Sequence, residues 1–394
     1  MSSRAATTAV PGPPPPRDAQ LPVERAEPTT TGPSGPALHV DAAAIEANVR
    51  TIRSRTDAQV MAVVKADGFG HGMLTVARAA VAAGASWLGV TDVADAALLR
   101  RAGITQPVLS WLHPGGIDVD LAARTGTDVA VGSVEDLQHV VAAAPSVVRV
   151  HLHLDTGMAR GGLPRADWPV ALRVAQQAQE RGRIRVVGLM GHLPDADHGD
   201  PARNRTGIGA YAAGLQAAVA AGLWPLLSHL GTTAATLTDP ATHFEMVRIG
   251  AGLVGIDPSG TTSLRGAATL TAPVVHTTEV PAGTPVGYGG AHVTTAPTHL
   301  SVLGVGYGDG IPRELAAEAS VGIDGRRYRV VGRVSMDQVV VDTGARAFPQ
   351  GTTATVFGPR GTSAPTIKEW AGWAGTIPHA IVTGIGPRVP RQAP

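Results

Sequence analysis

From residue 37 onward, apolar residues recur in short runs, and each run is followed by an alanine-rich segment with apolar positions at helical spacing. The runs predict strands at Val60–Lys65, Trp87–Thr91, Val108–Leu112, Asp128–Val131, Arg149–Leu154, Val186–His192, Leu226–His229 and Phe244–Arg248. Helices are expected at Ala42–Arg55, Leu74–Ala83, Val93–Ala102, Val134–Ala144, Ala166–Arg181 and Ile208–Ala221. Eight strands alternating with helices point to a closed parallel (β/α)8 barrel of the TIM type. An open doubly wound sheet shares this rhythm and stays open as the alternative.

After residue 267 the rhythm changes. Val274–Val280, His299–Gly304, Ser320–Ile323, Tyr328–Val334, Gln338–Asp342 and Thr352–Phe357 read as short strands joined by Gly, Pro and Asp turns, with one small helix near Ile367–Ala374. The expectation is α/β overall: a barrel over residues 37–267, then a mainly β domain over 268–394. Ala37–Val40 is a lone strand that can pair with the later sheet. Residues 1–36, with Pro11–Pro16 and a Thr/Pro/Gly stretch, lack apolar periodicity and are expected to form a disordered tail.

Composition narrows the function classes. The 394 residues are 44% apolar and 16% charged, with a formal charge of +1 and no long basic run, so nucleic acid and anionic membranes are not expected partners. The absence of cysteine rules out disulfides and thiolate metal ligands. No apolar stretch reaches about 18 residues, and the first residues carry no secretory pattern. The expected location is cytoplasmic, and no metal is called for.

Of the 32 Lys and Arg residues only Lys65 and Lys368 are lysine. Lys65 stands where an apolar run meets the turn Ala66-Asp-Gly-Phe-Gly-His-Gly72. Arginine neutralises anions, but Schiff-base chemistry needs a primary amine whose pKa burial can lower. A solvated strand-end lysine is the plainer reading. However, His192, Thr232, Thr233 and Arg248 also fall at or just after strand ends, the rim where barrels carry reactive groups. The run Arg248-Ile-Gly-Ala-Gly-Leu-Val-Gly offers unshielded amides suited to a phosphate. Together they suggest a phosphorylated carbonyl cofactor attached through the amine. Two of the four tyrosines, Tyr288 and Tyr307, are flanked by glycines. Each is either a turn residue or a phenol presented to a cleft as an acid or base.

Eight segments in register resemble the alanine racemase family, the pyridoxal-phosphate enzymes with a barrel and a β-domain. They are Ala62–Gly72 around Lys65, Asp155–Arg160, Gly191-His192, Arg248-Ile-Gly, Val286-Gly-Tyr288-Gly, Gly306–Gly310 around Tyr307, Gly332–Gln338 and Arg388-Val-Pro-Arg. The resemblance implies that Lys65 carries pyridoxal 5'-phosphate and serves as one of two bases. Tyr288 would be the other, reaching in from the partner of a head-to-tail homodimer. Arg248 would face the pyridine nitrogen, with His192 in a hydrogen-bonded line toward Tyr288. Arg160 would touch the cofactor's phenolic oxygen and the substrate carboxylate, which the amide of Met336 also binds. Tyr307 would line the entrance, while Gly250, Ala251, Thr233 and His379 lie on the phosphate side.

Four positions depart from the family pattern. Phe69 and His379 stand where tyrosines are usual, Thr233 replaces a serine, and His153 replaces a lysine that is often carbamylated to orient the arginine matching Arg160. Losing one neutral hydrogen bond costs about 0.5–1.5 kcal/mol, so Phe69 should weaken cofactor retention without abolishing it. The leading expectation is an alanine racemase. The alternatives are a relative acting on a larger or β-hydroxylated amino acid, as a racemase, aldolase-type enzyme or decarboxylase, and a cofactor carrier without turnover.

Overall fold

The structure, a computed structural model, describes residues 35–392. All of the tail expected at 1–36 except Gly35 and Pro36 lies outside the described residues. After strand β1 (Ala37–Val40) come β2 (Gln59–Val63), β3 (Trp87–Val90), β4 (Val108–Ser110), β5 (Thr127–Val131), β6 (Val148–His153), β7 (Ile184–Met190), β8 (Leu227–His229) and β9 (Met246–Ile249). From β2 to β8 each strand pairs in parallel with the next, and β9 returns to pair with β2. The remaining seam, β8 to β9, is bridged by the Glu245 amide donating to Ser228 O at 3.1 Å and the Arg248 amide donating to Gly231 O at 2.9 Å. The sheet therefore curls back on itself, and the open doubly wound alternative is excluded.

Helices cover the outside, and four of them start where a side chain satisfies a free amide. Asp41, Asp92, Asp118 and Ser133 accept from Ala44, Ala94, Leu121 and Asp136 respectively. Asn48, buried on the first helix (Ala42–Arg53), ties the barrel to the segment leaving it: its amide nitrogen donates to Leu253 O at 3.0 Å and Arg265 O at 2.8 Å.

Several strands stop short of their expected ends. β2 ends at Val63 rather than Lys65, β4 at Ser110 rather than Leu112, and β7 at Met190 rather than His192. One further bond continues the pairing beyond β2 and β7, from Val64 to Gly89 O at 2.8 Å and from Gly191 to His229 O at 3.1 Å. The reactive side chains thus occupy the first free positions beyond the ladder. Arg248 is different, since it lies inside β9. The helices Val119–Thr125, Thr233–Thr238 and Pro378–Gly384 are too short to show a period and were not expected.

The second half is built on the long β10 (Ala268–Val280), followed by β11 (Pro285–Val286), β12 (His292–Val293), β13 (Thr298–Leu303), β14 (Ser320–Ile323), β15 (Arg326–Val330), β16 (Val339–Gly344), β17 (Thr353–Phe357) and β18 (Arg391–Gln392). The first part of β10 pairs with β17 and its last part with β13, so β13-β16-β15-β14-β17-β10 closes an antiparallel barrel. β1 lies antiparallel on β10 and parallel to β18. β10 begins six residues before the expected Val274. The added stretch, Ala-Thr-Leu-Thr-Ala-Pro, is weakly strand-forming and is held by pairing on both edges. One apolar cluster runs from Val60, Met61 and Leu88 of the parallel barrel through Leu38 and Ile45 to Leu270, Val274 and Phe357. Among the described residues no helix is long and apolar enough to cross a membrane.

Candidate active site

The chain leaves β2 through an unusual turn. Ala66, Asp67, Gly68, Phe69 and Gly70 have φ of 51°, 52°, 62°, 55° and 78°, one turn of left-handed helix directly after Lys65. Each non-glycine residue there costs roughly 1–2 kcal/mol. Local bonds offset that cost: Gly68 donates to Val64 O and Gly70 to Ala66 O, both at 2.9 Å, and Asp67 Oδ1 accepts from Met73 at 2.8 Å, starting the helix Met73–Ala82. From the far end of the chain, Arg391 Nε donates to Gly70 O at 3.1 Å. The glycines advertised a turn, but its hand was not legible.

Lys65 faces a cavity of about 680 Å³, shared with Phe69, Arg160, His192, Thr233 and Arg248; Gly250, Ala251 and His379 also line it. Burial lowers the Lys65 amine below the ordinary lysine value, and the positive charges of Arg160 and Arg248 push it the same way. His153 and His192 are held neutral by burial and by the same two arginines, at about 4 and about 3. Lys65, Arg160 and Arg248 thus stand close enough to feel one another's charge, and an anion among them would relieve the repulsion.

Arg248 is buried, and both of its terminal nitrogens are engaged. One terminal nitrogen donates to His229 O at 2.8 Å and His229 Nδ1 at 3.1 Å; the other donates to Gly191 O at 2.7 Å and approaches His192 Nδ1 at 3.4 Å. Burial brings its pKa down to about 10, so it stays charged at neutral pH. With this many acceptors the guanidinium plane is fixed. Thr156 in turn holds His192, accepting from its amide at 3.0 Å.

At the other end, Gly250 has no room for a side chain: a Cβ there would lie 2.5 Å from the Phe69 ring. Thr233 Oγ1 accepts from the Gly252 amide at 3.1 Å, leaving its own proton to donate. His379 lies with its ring centroid 6.1 Å from that of Phe69, and its Nδ1 is buried without a hydrogen-bond partner. Arg160 lines the cavity, and among the described residues no hydrogen bond or ion pair holds its guanidinium.

Tyr288, Tyr307 and Met336 are not gathered here. They are 68%, 39% and 53% exposed, and none lines this chain's cavity. Their loops are nonetheless built. Tyr307 and Gly308 donate to Ser335 O at 3.0 Å and Met336 O at 2.8 Å, and Arg388 clamps Asp309 at 3.3 Å and Asp337 at 2.6 Å. Three residues behind Arg248 escaped the sequence reading: His229, His151 and Asp128. A signal was available, since His151 and His153 alternate on one strand and so share its inward face.

Residues 40–258 match the alanine racemase N-terminal domain and residues 267–393 the alanine racemase C-terminal domain. The chain belongs to the alanine racemase family. It is 42% identical to the alanine racemase of Salinispora tropica, covering 90% of this chain and 97% of that protein. With the Mycolicibacterium smegmatis alanine racemase it shares 44% identity over 89% and 93% of the two chains. The crystal structure of alanine racemase from a D-cycloserine-producing Streptomyces lavendulae superposes with a TM-score of 0.89 at 38% identity, over 92% and 97% of the chains. The Bacillus anthracis alanine racemase with bound L-Ala-P gives 0.82 at 30% identity, over 90% and 93%. The activity of this alanine racemase family member is the interconversion of L- and D-alanine, which decides against the carrier and the related chemistries. The family works with pyridoxal phosphate. The residues present fit it: a partly buried amine of lowered pKa, a fixed guanidinium, and a glycine cradle beside a free hydroxyl proton and an unpartnered histidine nitrogen.

Proposed function

We propose that this racemase binds pyridoxal 5'-phosphate on Lys65 and works by two bases on opposite faces of the substrate Cα. The observation that carries the reading is the shared cavity of Lys65 and the fixed Arg248. The bound cofactor supplies an electron sink that makes the Cα proton of an amino acid removable. Lys65 would hold it through Nζ and, once displaced by the substrate amine, take or return the proton on its own face. The downward shift of its pKa favours the neutral amine that can accept a proton. Arg248 would face the ring nitrogen and disfavour its protonation by like-charge repulsion, suppressing transamination. The glycine end, with Gly250, Ala251, Thr233 and His379, would hold the phosphate. Arg160, whose guanidinium has no hydrogen bond or ion pair among the described residues, would take the phenolic oxygen and the substrate carboxylate.

The second base must come from elsewhere, because no phenol lines the cavity among the described residues. We assign it to Tyr288 of the partner subunit in a head-to-tail homodimer, with Tyr307 at the entrance and Met336 meeting the carboxylate through its amide. Support comes from the exposure of all three in a single chain and from their braced loops. In this reading the barrel half (37–267) brings the cofactor and the β half (268–394) brings the second base. Cytoplasmic residence belongs to it too, since cofactor and substrate are both charged and cross bilayers poorly; cell fractionation tests that.

The central experiment is borohydride reduction of the holoenzyme followed by peptide mapping, alongside solvent deuterium entry into alanine Cα. A pyridoxyl group on Lys65 is expected, with loss of exchange in Lys65→Ala. An adduct at Lys368, or undiminished exchange in the variant, overturns the reading.

A further inference from the structure

Behind Arg248 a chain of hydrogen bonds runs through the barrel interior. Arg248 donates to His229 Nδ1 at 3.1 Å; His229 Nε2 lies 2.8 Å from His151 Nδ1; and His151 Nε2 lies 3.2 Å from Asp128 Oδ2. His151 and His229 are wholly buried and Asp128 nearly so. The two ends are chemically one-sided, for a guanidinium can only donate and a carboxylate can only accept. A donor facing His229 Nδ1 requires that atom to be bare, which puts the His229 proton on Nε2. That proton must then be accepted by His151 Nδ1, leaving the His151 proton on Nε2, aimed at Asp128. Only this arrangement satisfies every bond in the chain.

We propose that Asp128 and His151 are positioning residues for the racemisation: through His229 they fix the proton arrangement that holds the Arg248 guanidinium in place. Reversing the order would point an N–H of His229 at the Arg248 donors and push the guanidinium out of its plane. Neutral protonation of both histidines, with Asp128 ionised, gives the chain one direction from the barrel floor to the cavity. The surroundings support this state. Arg149 pairs with Asp128 at 3.0 Å and stacks over Trp87, whose ring meets the edge of His151. Tyr211 donates to Leu189 O and accepts from the His229 amide at 2.8 Å. Burial, first, and the Arg248 charge hold His229 neutral. On the cavity side His192, His153 and Lys65 are near enough to feel the Arg248 charge, with Arg160, Asp155 and His379 farther along the lining, and Glu245 lies beyond Tyr211.

The proposal rests on the reading that Arg248 faces the cofactor ring, and its test separates the two. Asp128→Asn keeps an acceptor but loses the charge; Asp128→Ala loses both. In protein of unchanged circular dichroism and oligomeric state, Asp128→Ala should raise transamination relative to racemisation by about tenfold, with Asp128→Asn in between. Loss of a nearby negative charge should move the pH midpoint of the cofactor absorption downward by about half a unit. Unchanged partition and midpoint, with only a lowered Tm, would reduce Asp128 to a structural residue. Should Arg248→Lys move the partition while the Asp128 variants do not, the relay fails and the role of Arg248 stands; if none of them moves it, that role fails. Should the variants not fold, ring-nitrogen NMR of histidine-labelled wild type decides. Finding His229 protonated on Nδ1, or His151 bare on Nε2, overturns the proposal.

Discussion

At the scale of single residues, this site is a set of ordinary groups made unusual by neighbours. Lys65 differs from the exposed Lys368 because it is partly buried and feels the charges of two arginines, and that setting lowers its pKa. Phe69 is the clearest departure from the family pattern, and its ring lies over Gly250. A phenol there could add one hydrogen bond to the phosphate end, worth about 0.5–1.5 kcal/mol. Phe69→Tyr is therefore expected to tighten cofactor binding by about two- to tenfold, measured by titrating apo-enzyme. An unchanged dissociation constant would show that the ring does not approach the phosphate. The rarity of lysine and the glycines beside Tyr288 were visible in sequence. His229 was not, since a lone histidine at a strand end carries no mark of the arginine that will lean on it.

Among the elements, the left-handed turn after Lys65 is the most consequential. It depends on glycine where backbone approaches closely: a Cβ at Gly70 would lie 2.2 Å from Val382 O. Gly70→Ala should cost at least about 2 kcal/mol and weaken cofactor attachment, because the displaced turn carries Lys65 with it. Gly103 is the control, with φ of 81° and open space around its Cβ direction. Gly103→Ala should cost only about 1 kcal/mol and leave the cofactor spectrum unaltered. Equal costs by chemical denaturation would contradict the crowding argument. Strands and long helices were legible to within a few residues because burial of one face imposes a period. The hand of the left-handed turn, the three short helices and the early start of β10 were not: glycines mark a turn without its hand, six or seven residues are too few to show a period, and the start of β10 is held by pairing with strands distant in sequence.

For the whole molecule, the shared site makes a sharp prediction. Lys65→Ala and Tyr288→Phe should each be nearly inactive, yet unfolding and refolding them together should restore about one quarter of wild-type activity, because half of random dimers are mixed and each mixed dimer has one intact site. No recovery would place both bases in one chain. Acid should also weaken the fold. His71 and His153 at about 4 and His192 at about 3 lie below the ordinary histidine value near 6.5. The unfolded chain then binds more protons between those limits, so stability falls as pH drops from about 6.5 toward 4. Tm measured across that range should decline, and replacing His71 with glutamine should lessen the slope.

Sequence alone determined the alternation of strands and helices, the change to β structure after residue 267, and the rare amine at the barrel rim. These are local properties, written by side-chain period and by the chemistry of single residues. Tertiary structure decided how β9 meets β2 to close the ring, that one apolar core runs through both halves, and that Arg248 is held from behind by two histidines and a carboxylate. Those features join residues from 19 to 78 positions apart along the relay alone. A pattern read along the chain has no means of recording which distant side chains will share a proton, whereas packing in three dimensions does.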